Sequence, residues 1–200
     1  MKKMITLLML AIALGMTATA QNAKKILDKT AAVVAHKGGA SANFSISGTK
    51  TAATSGSISI KGNKFQARTP MAVIWFDGKT SWTDMKKSEE VSVSTPTASQ
   101  LTAMNPYSFI NLYKTGYQYT AKTEGNSYEV HLTATSKTKS IQEMYITVNS
   151  GTYVPSLIRM RRGTSWTTIK VSNFKRANLS DAMFRFKAKD YPKAEIIDLR

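Results

Sequence analysis

The stretch "IWFDGKTSWTDMKKSEEVSVS", residues 74–94, decides how the chain reads. Ile74, Trp75 and Phe76 run into Asp77-Gly78, and Trp82 follows shortly after. Asp-Gly between apolar runs fits a two-residue hairpin turn, because glycine accepts a positive φ at no steric cost. The hydrophilic tip "KKSEE", residues 86–90, supplies a second reversal before Val91 and Val93 alternate with serines. A period of two on each side of two tight turns predicts three antiparallel strands, with Trp75 and Trp82 on adjacent ones.

The same period extends outward. Upstream, Ala42, Phe44 and Ile46 alternate with polar residues, as do Ile58 and Ile60. Gly62-Asn63 then turns into Phe65 and Ala67. Downstream, alternation marks Tyr117/Tyr119/Ala121, Tyr128/Val130/Leu132, Met144/Ile146/Val148, 154–162, 166–171 and Phe184/Phe186. Pro96 to Thr115 interrupts it: Thr97 can cap a short helix holding Leu101 and Met104. Pro106 opens a second helix with Phe109, Ile110, Leu112 and Tyr113, ended by Gly116. Before the strands, residues 22–37 place Ala23, Ile26, Leu27, Thr30, Val33 and Val34 on one helical face, closed by Gly38-Gly39. About ten strands without βαβ alternation predict a mainly β, α+β domain built on an antiparallel meander.

The N-terminus reads differently. Lys2-Lys3, an apolar run from Met4 to Met16 and Ala18-Thr19-Ala20 form a secretory signal peptide, residues 1–20, cleaved near Ala20. The run is about 13 residues where ~20 would be needed to span a bilayer. Residues 21–200 then form a single domain in the periplasm, following Gln21 rather than a lipidated cysteine. The chain has no cysteine, which excludes disulfides and thiolate chemistry. Its formal net charge is +16 over 200 residues. Export argues against nucleic acid as the partner of that charge, leaving solvated surface charge, anionic lipid headgroups or an acidic protein.

Catalytic constellations are missing from the pattern. There are two histidines. His36 sits near a helix C-terminus, and His131 shares a strand face with Glu129 at i, i+2, too few ligands for a metal. No serine sits in a nucleophile-elbow pattern and no Gly-rich loop opens a helix after a strand. The expectation is no enzyme, no cofactor and no metal. What the chain holds instead is ten methionines and eighteen aromatic residues. This material fits a plain core or an adaptable apolar cavity, since methionine reshapes to fit its neighbours.

Taken together, the signal peptide, the amphipathic first helix, the meander, and "DGKTSW" leading to Glu90-Val91 resemble the LolA-like periplasmic carriers of outer-membrane lipoproteins. Asp77, Gly78, Lys79, Thr80, Trp82 and Asp84 occupy the family's Asp-Gly-Lys-Thr-x-Trp hairpin and the acidic position after it. The ending "FRFKAKDYPKAEIIDLR" is similar to the family's, through Phe184, Phe186, Pro192, Ile196, Asp198 and Arg200. The family's Arg-Pro pair is split here by Thr69, as Arg68-Thr69-Pro70.

The resemblance implies a strongly curved, unclosed antiparallel half-barrel with an N-terminal helix and short lid helices. Its apolar lining would bind the acyl chains of lipoproteins and ferry them from the inner to the outer membrane. The lining candidates are Phe44, Ile46, Ile58, Ile60, Phe65, Ile74, Trp75, Trp82, Val91, Val93, Met144 and Ile146, with Leu101, Met104, Phe109 and Leu112 on the lid. Arg68 takes the family's gating position. The implied partners are acylated lipoproteins as cargo, an inner-membrane ABC exporter and an outer-membrane acceptor. The protein would be a monomer in transient contact with membrane surfaces. The alternative is an envelope-stress regulatory protein on the same fold, binding lipid or an anti-sigma partner.

Overall fold

A computed structural model describes residues 20, 22–105 and 112–200. Residues 1–19 of the expected signal peptide, and Pro106, Phe109 and Ile110 of the expected second helix, lie outside the described residues. Helix α1 covers 22–34. Its predicted apolar face is the buried one: Ala23, Ile26, Leu27, Thr30, Val33 and Val34 are each buried.

Two meanders follow. The first comprises β1 (Ala40–Gly48), β2 (Thr54–Lys61), β3 (Lys64–Arg68), β4 (Ala72–Phe76), β5 (Ser81–Met85) and β6 (Glu90–Ser94). Helix α2 (Ala98–Met104) comes next, then β7 (Tyr117–Glu124), β8 (Ser127–Ala134), β9 (Glu143–Asn149), β10 (Pro155–Arg162) and β11 (Ser165–Arg176). A last strand, β12 (Glu195–Asp198), ends the chain. β1 pairs with β11 and joins the meanders into one 12-stranded sheet, in the order β12-β6-β5-β4-β3-β2-β1-β11-β10-β9-β8-β7. The sheet is unclosed, with β12 and β7 at its edges. All pairings are antiparallel except β12 on β6, which is parallel.

That order forces two long crossings. β6 lies near one edge and β7 forms the other, so the connection between them spans the breadth of the sheet. α2 lies in this crossing, and Leu101, Met104 and Leu112 pack on the same face as α1. The Thr97 hydroxyl accepts from Gln100 N at 3.3 Å, and Gln100 Oε1 accepts from Thr97 N at 2.8 Å, a reciprocal cap that starts the helix. After β11, in the middle of the sheet, the tail must travel to the β6 edge, and it crosses the other face.

Three expectations are corrected. Phe184 and Phe186 do not form a strand. Residues Asp181–Phe184 make a 3-10 turn whose start is held by Ser180 Oγ, which accepts from Ala182 N at 3.3 Å. The Phe-x-Phe spacing suits a strand, but here it drives Phe184 into a fully buried site and lays Phe186 against Trp75. The Asp77-Gly78 reversal is a four-residue loop, 77–80, because Phe76 pairs with Ser81. Asp77 Oδ1 accepts from the backbone N–H groups of Lys79 at 3.0 Å and Thr80 at 2.9 Å, an Asx-type turn that the Asp-Gly signal does not distinguish from a tighter one. The tail, finally, contributes an edge strand, β12, that alternation did not reveal in four residues.

Cross-strand register assigns every side chain to a face. On the inner face, under α1 and α2, one apolar cluster reaches from Phe76 on β4 to Tyr117 on β7. It includes Phe44, Ile58, Ile60, Phe65, Ile146, Ile158 and Ile169. The Phe44 side chain covers Gly56, its cross-strand partner, where any Cβ would meet the Arg68 carbonyl. On the outer face a smaller apolar group sits under the tail near the β4–β6 end.

Candidate functional site

The inner face holds most of the predicted lining. Phe44, Ile58, Ile60, Phe65, Met144 and Ile146 are buried within its cluster. Ile46, Ile74, Leu101, Met104 and Leu112 are half-buried at its margin. The buried set packs like any core. The marginal set, from β1, β4, α2 and the segment before β7, keeps part of its apolar surface open, and there an apolar ligand could replace side-chain contacts at the least cost in packing.

A polar contact ties the far end of this crossing to α1. Tyr113 Oη donates to Asp28 Oδ1 at 2.6 Å, next to the Lys24–Asp28 ion pair at 2.7 Å. The hydrogen bond from Lys24 and then that from Tyr113 hold the Asp28 carboxyl below its ordinary range. Burial, reinforced by Asp28, pushes the Tyr113 phenol well up, so it stays a donor. The crossing is thus pinned at Tyr113 by a charge-assisted hydrogen bond, with its apolar contacts half-open at Leu101, Met104 and Leu112.

Four predicted lining residues fall on the outer face. Trp75 pairs directly with Trp82, and Trp82 with Val93, so these three share a face; Val91, opposite Asp84, shares it too. Phe65 and Phe76, neighbours on the inner face, alternate with them. Trp75 is 4% exposed beneath the tail, with Phe186 and Tyr191 edge-on at 5.6 Å each. Gln66 Nε2, from the same face, donates to Met183 O at 3.1 Å. Trp75 therefore anchors the returning C-terminal segment. Trp75 also packs more deeply than the motif-borne Trp82. Arg68 lies on this face as well, opposite Ser57 and Val73, with its Nε donating to Gln66 Oε1 at 3.1 Å. It is thereby directed away from the face that carries α1 and α2. The inserted Thr69 closes the β3–β4 turn: its Oγ1 accepts from Ala72 N at 3.0 Å and its N–H donates to Ala72 O at 2.9 Å.

Several inner-face residues went unselected at the sequence level. Tyr119, Leu132, Val130, Ile158 and Ile169 belong to the same apolar surface. Their signal was the same alternation, and only the β1–β11 joint reveals that both meanders share one face.

Glu129 and His131, on one strand face, take different partners. His131 Nε2 contacts Glu143 Oε1 on the neighbouring strand at 3.0 Å, while Glu129 pairs with Lys122 at 3.1 Å. Glu143 also accepts from Tyr145 Oη and Arg161 Nε, each at 2.9 Å. Burial pushes its carboxyl up, but these hydrogen bonds outweigh burial and hold it below the ordinary range. The His131 ring stacks on Tyr145 at 4.2 Å. Glu143 is saturated by donors, so the cluster is a cross-strand network on the outer face. Among the described residues no group of three or more potential metal ligands occurs.

The inner apolar face, the helical crossing over it and the order of elements can be compared with known proteins. A family model described as outer membrane lipoprotein carrier protein LolA matches residues 14–164. The chain belongs to this family. No curated protein matches this LolA-family chain in sequence. Among solved structures, an uncharacterized conserved protein from Thermus thermophilus superposes with a TM-score of 0.60 at 14% identity, covering 88% of this chain and 99% of that one. A LolA superfamily protein from Nitrosomonas europaea gives 0.47 at 15% identity, over 84% and 98%. The Pseudomonas aeruginosa MucA/MucB complex gives 0.46 at 10% identity, over 84% and 62%. The first of these likenesses bears on the fold alone: an unclosed, mostly antiparallel sheet carrying a helix on one face.

Proposed function

We propose that this LolA-family protein binds the acyl chains of lipoproteins against its inner face and carries them between membranes, making and breaking no covalent bond. The observation that carries the reading is a half-buried apolar rim, Ile74, Leu101, Met104 and Leu112, packed against a continuous apolar face, with neighbouring Tyr113 tied to α1. Membership in a lipoprotein-carrier family supports the same ligand class.

The energetics call for such a rim. A buried methylene contributes about 0.8 kcal/mol, so a 16-carbon chain is worth roughly 12 kcal/mol when fully desolvated. Escape of that chain into water is prohibitive, so a carrier must shelter it and still release it. A covering segment held by a few half-open apolar contacts and one polar tether opens at low cost, whereas a sealed core would not. Inner-membrane export machinery and an outer-membrane acceptor are the partners this reading requires, with the envelope as its compartment.

The test is extraction. Purified protein lacking residues 1–20, added to spheroplasts, should bring triacylated lipoprotein into the soluble fraction in proportion to carrier added. Lipoprotein that stays with the membrane at saturating carrier contradicts the reading.

A further inference from the structure

The twelve Asp and Glu residues of the chain all lie outside residues 29–76 and 144–180. These two acid-free stretches are remote in sequence, yet the sheet order sets β3-β2-β1-β11-β10 side by side at its centre. The middle of the sheet therefore carries cations and hydroxyls with no carboxylate of its own.

The outer face of this region is not covered like the β4–β6 end. It forms an open groove of about 1020 Å³. Register lays out its floor as rows. Ser172, Asn43, Ser57 and Arg68 are successive cross-strand neighbours on β11, β1, β2 and β3, and Lys170, Ser45 and Ser55 form the next row. Lys86, from the β5–β6 turn, lines the groove as well. Among the described residues Arg68, Lys86 and Lys170 form no ion pair, unlike Lys61 and Lys64, which both bind Asp181 at 3.0 and 2.9 Å.

We propose that this outer-face groove is a docking surface for the phosphate groups of an anionic phospholipid leaflet. Neighbouring strands are about 4.8 Å apart, so each row presents hydroxyl, amide and cationic donors at a spacing that a two-dimensional array of phosphates can meet. Phosphate oxygens accept from all three donor types, and cations beside them gain most where no carboxylate competes. A protein partner would be met by large aromatic anchors, which concentrate binding energy at protein interfaces. The outward lining here is serine, threonine, asparagine and three cations, with Pro70 and Leu157 at the border, while the side chains of Phe44 and Val171, which also touch the groove, belong to the inner face. The groove is on the opposite face from the acyl-chain rim, so a leaflet can be engaged while the rim stays free to load or unload.

The experiment is co-sedimentation of the cargo-free protein with phosphatidylcholine vesicles, with and without phosphatidylglycerol. Binding should require phosphatidylglycerol and weaken as salt rises. Each cation near an anionic surface contributes about fivefold in affinity, so Arg68→Gln/Lys86→Gln/Lys170→Gln should lower it on the order of a hundredfold. Lys25→Gln/Lys114→Gln/Lys137→Gln removes the same charge elsewhere and should cost far less. Equal losses in the two triple variants, or none in the groove variant, overturn the proposal. Vesicle binding that persists while affinity for polyglutamate collapses overturns it in favour of an acidic protein. The substituted side chains are exposed, so unchanged melting temperatures identify folded variants. Acyl uptake from detergent micelles, measured in parallel, reads the inner face alone, so the two assignments fail separately.

Discussion

Leu101→Asp combined with Leu112→Asp should abolish acyl-chain capture while leaving the protein folded. Both side chains are half-buried at the inner-face margin, so in the empty protein each aspartate can turn toward water. With an acyl chain in place, the carboxylates would be buried against hydrocarbon without partners, which costs several kcal/mol each unless they protonate. Affinity for a fluorescent acyl probe should fall by more than about a hundredfold, with a change in melting temperature of only a few degrees. A parallel collapse of folding and binding would make these residues part of the core and remove the rim from the account.

The second large effect concerns the opposite face. Phe184→Ala should lower unfolding free energy by about 3–5 kcal/mol, the usual loss for emptying a buried phenylalanine site. Phe184 is 0% exposed although it belongs to a 3-10 turn, and its turn adjoins the segment that lies on Trp75. Domains of this size are stable by only about 5–15 kcal/mol, so a loss of that size is readily measured in urea titrations. The paired expectation is that Met183→Ala, whose side chain is 37% exposed in the same turn, changes stability little. Equal effects at the two positions would mean the tail is not packed as described.

The strands and α1 were legible because period two and period 3.6 are local properties. The six α1 residues chosen by spacing are the six that are buried, and Gly62-Asn63 closes β2 onto β3, with Lys61 opposite Lys64. Two kinds of information were not local. The face of a strand is fixed by its partners, and Trp75, aromatic and flanked by apolar residues on both sides, gives no sign of which face it serves. The tail resolves that through contacts more than 100 residues away, such as Gln66 with Met183. The joining of the meanders through β1 and β11 was equally hidden, because no sequence period encodes which strands become neighbours. For the same reason the acid-free surface is visible in sequence only as two separate gaps in charge. Resemblance supplied the ligand class, and register then divided the apolar candidates between a lid-covered face and a tail-covered face.

Photolabelling with a diacylated lipopeptide that carries a diazirine at the acyl terminus tests the central claim most directly. The account predicts labelled peptides containing Ile74, Leu101, Met104 or Leu112, with Trp82 and Val93 unlabelled. Label concentrated on Trp82 and Val93, or spread without preference over both faces, would contradict it.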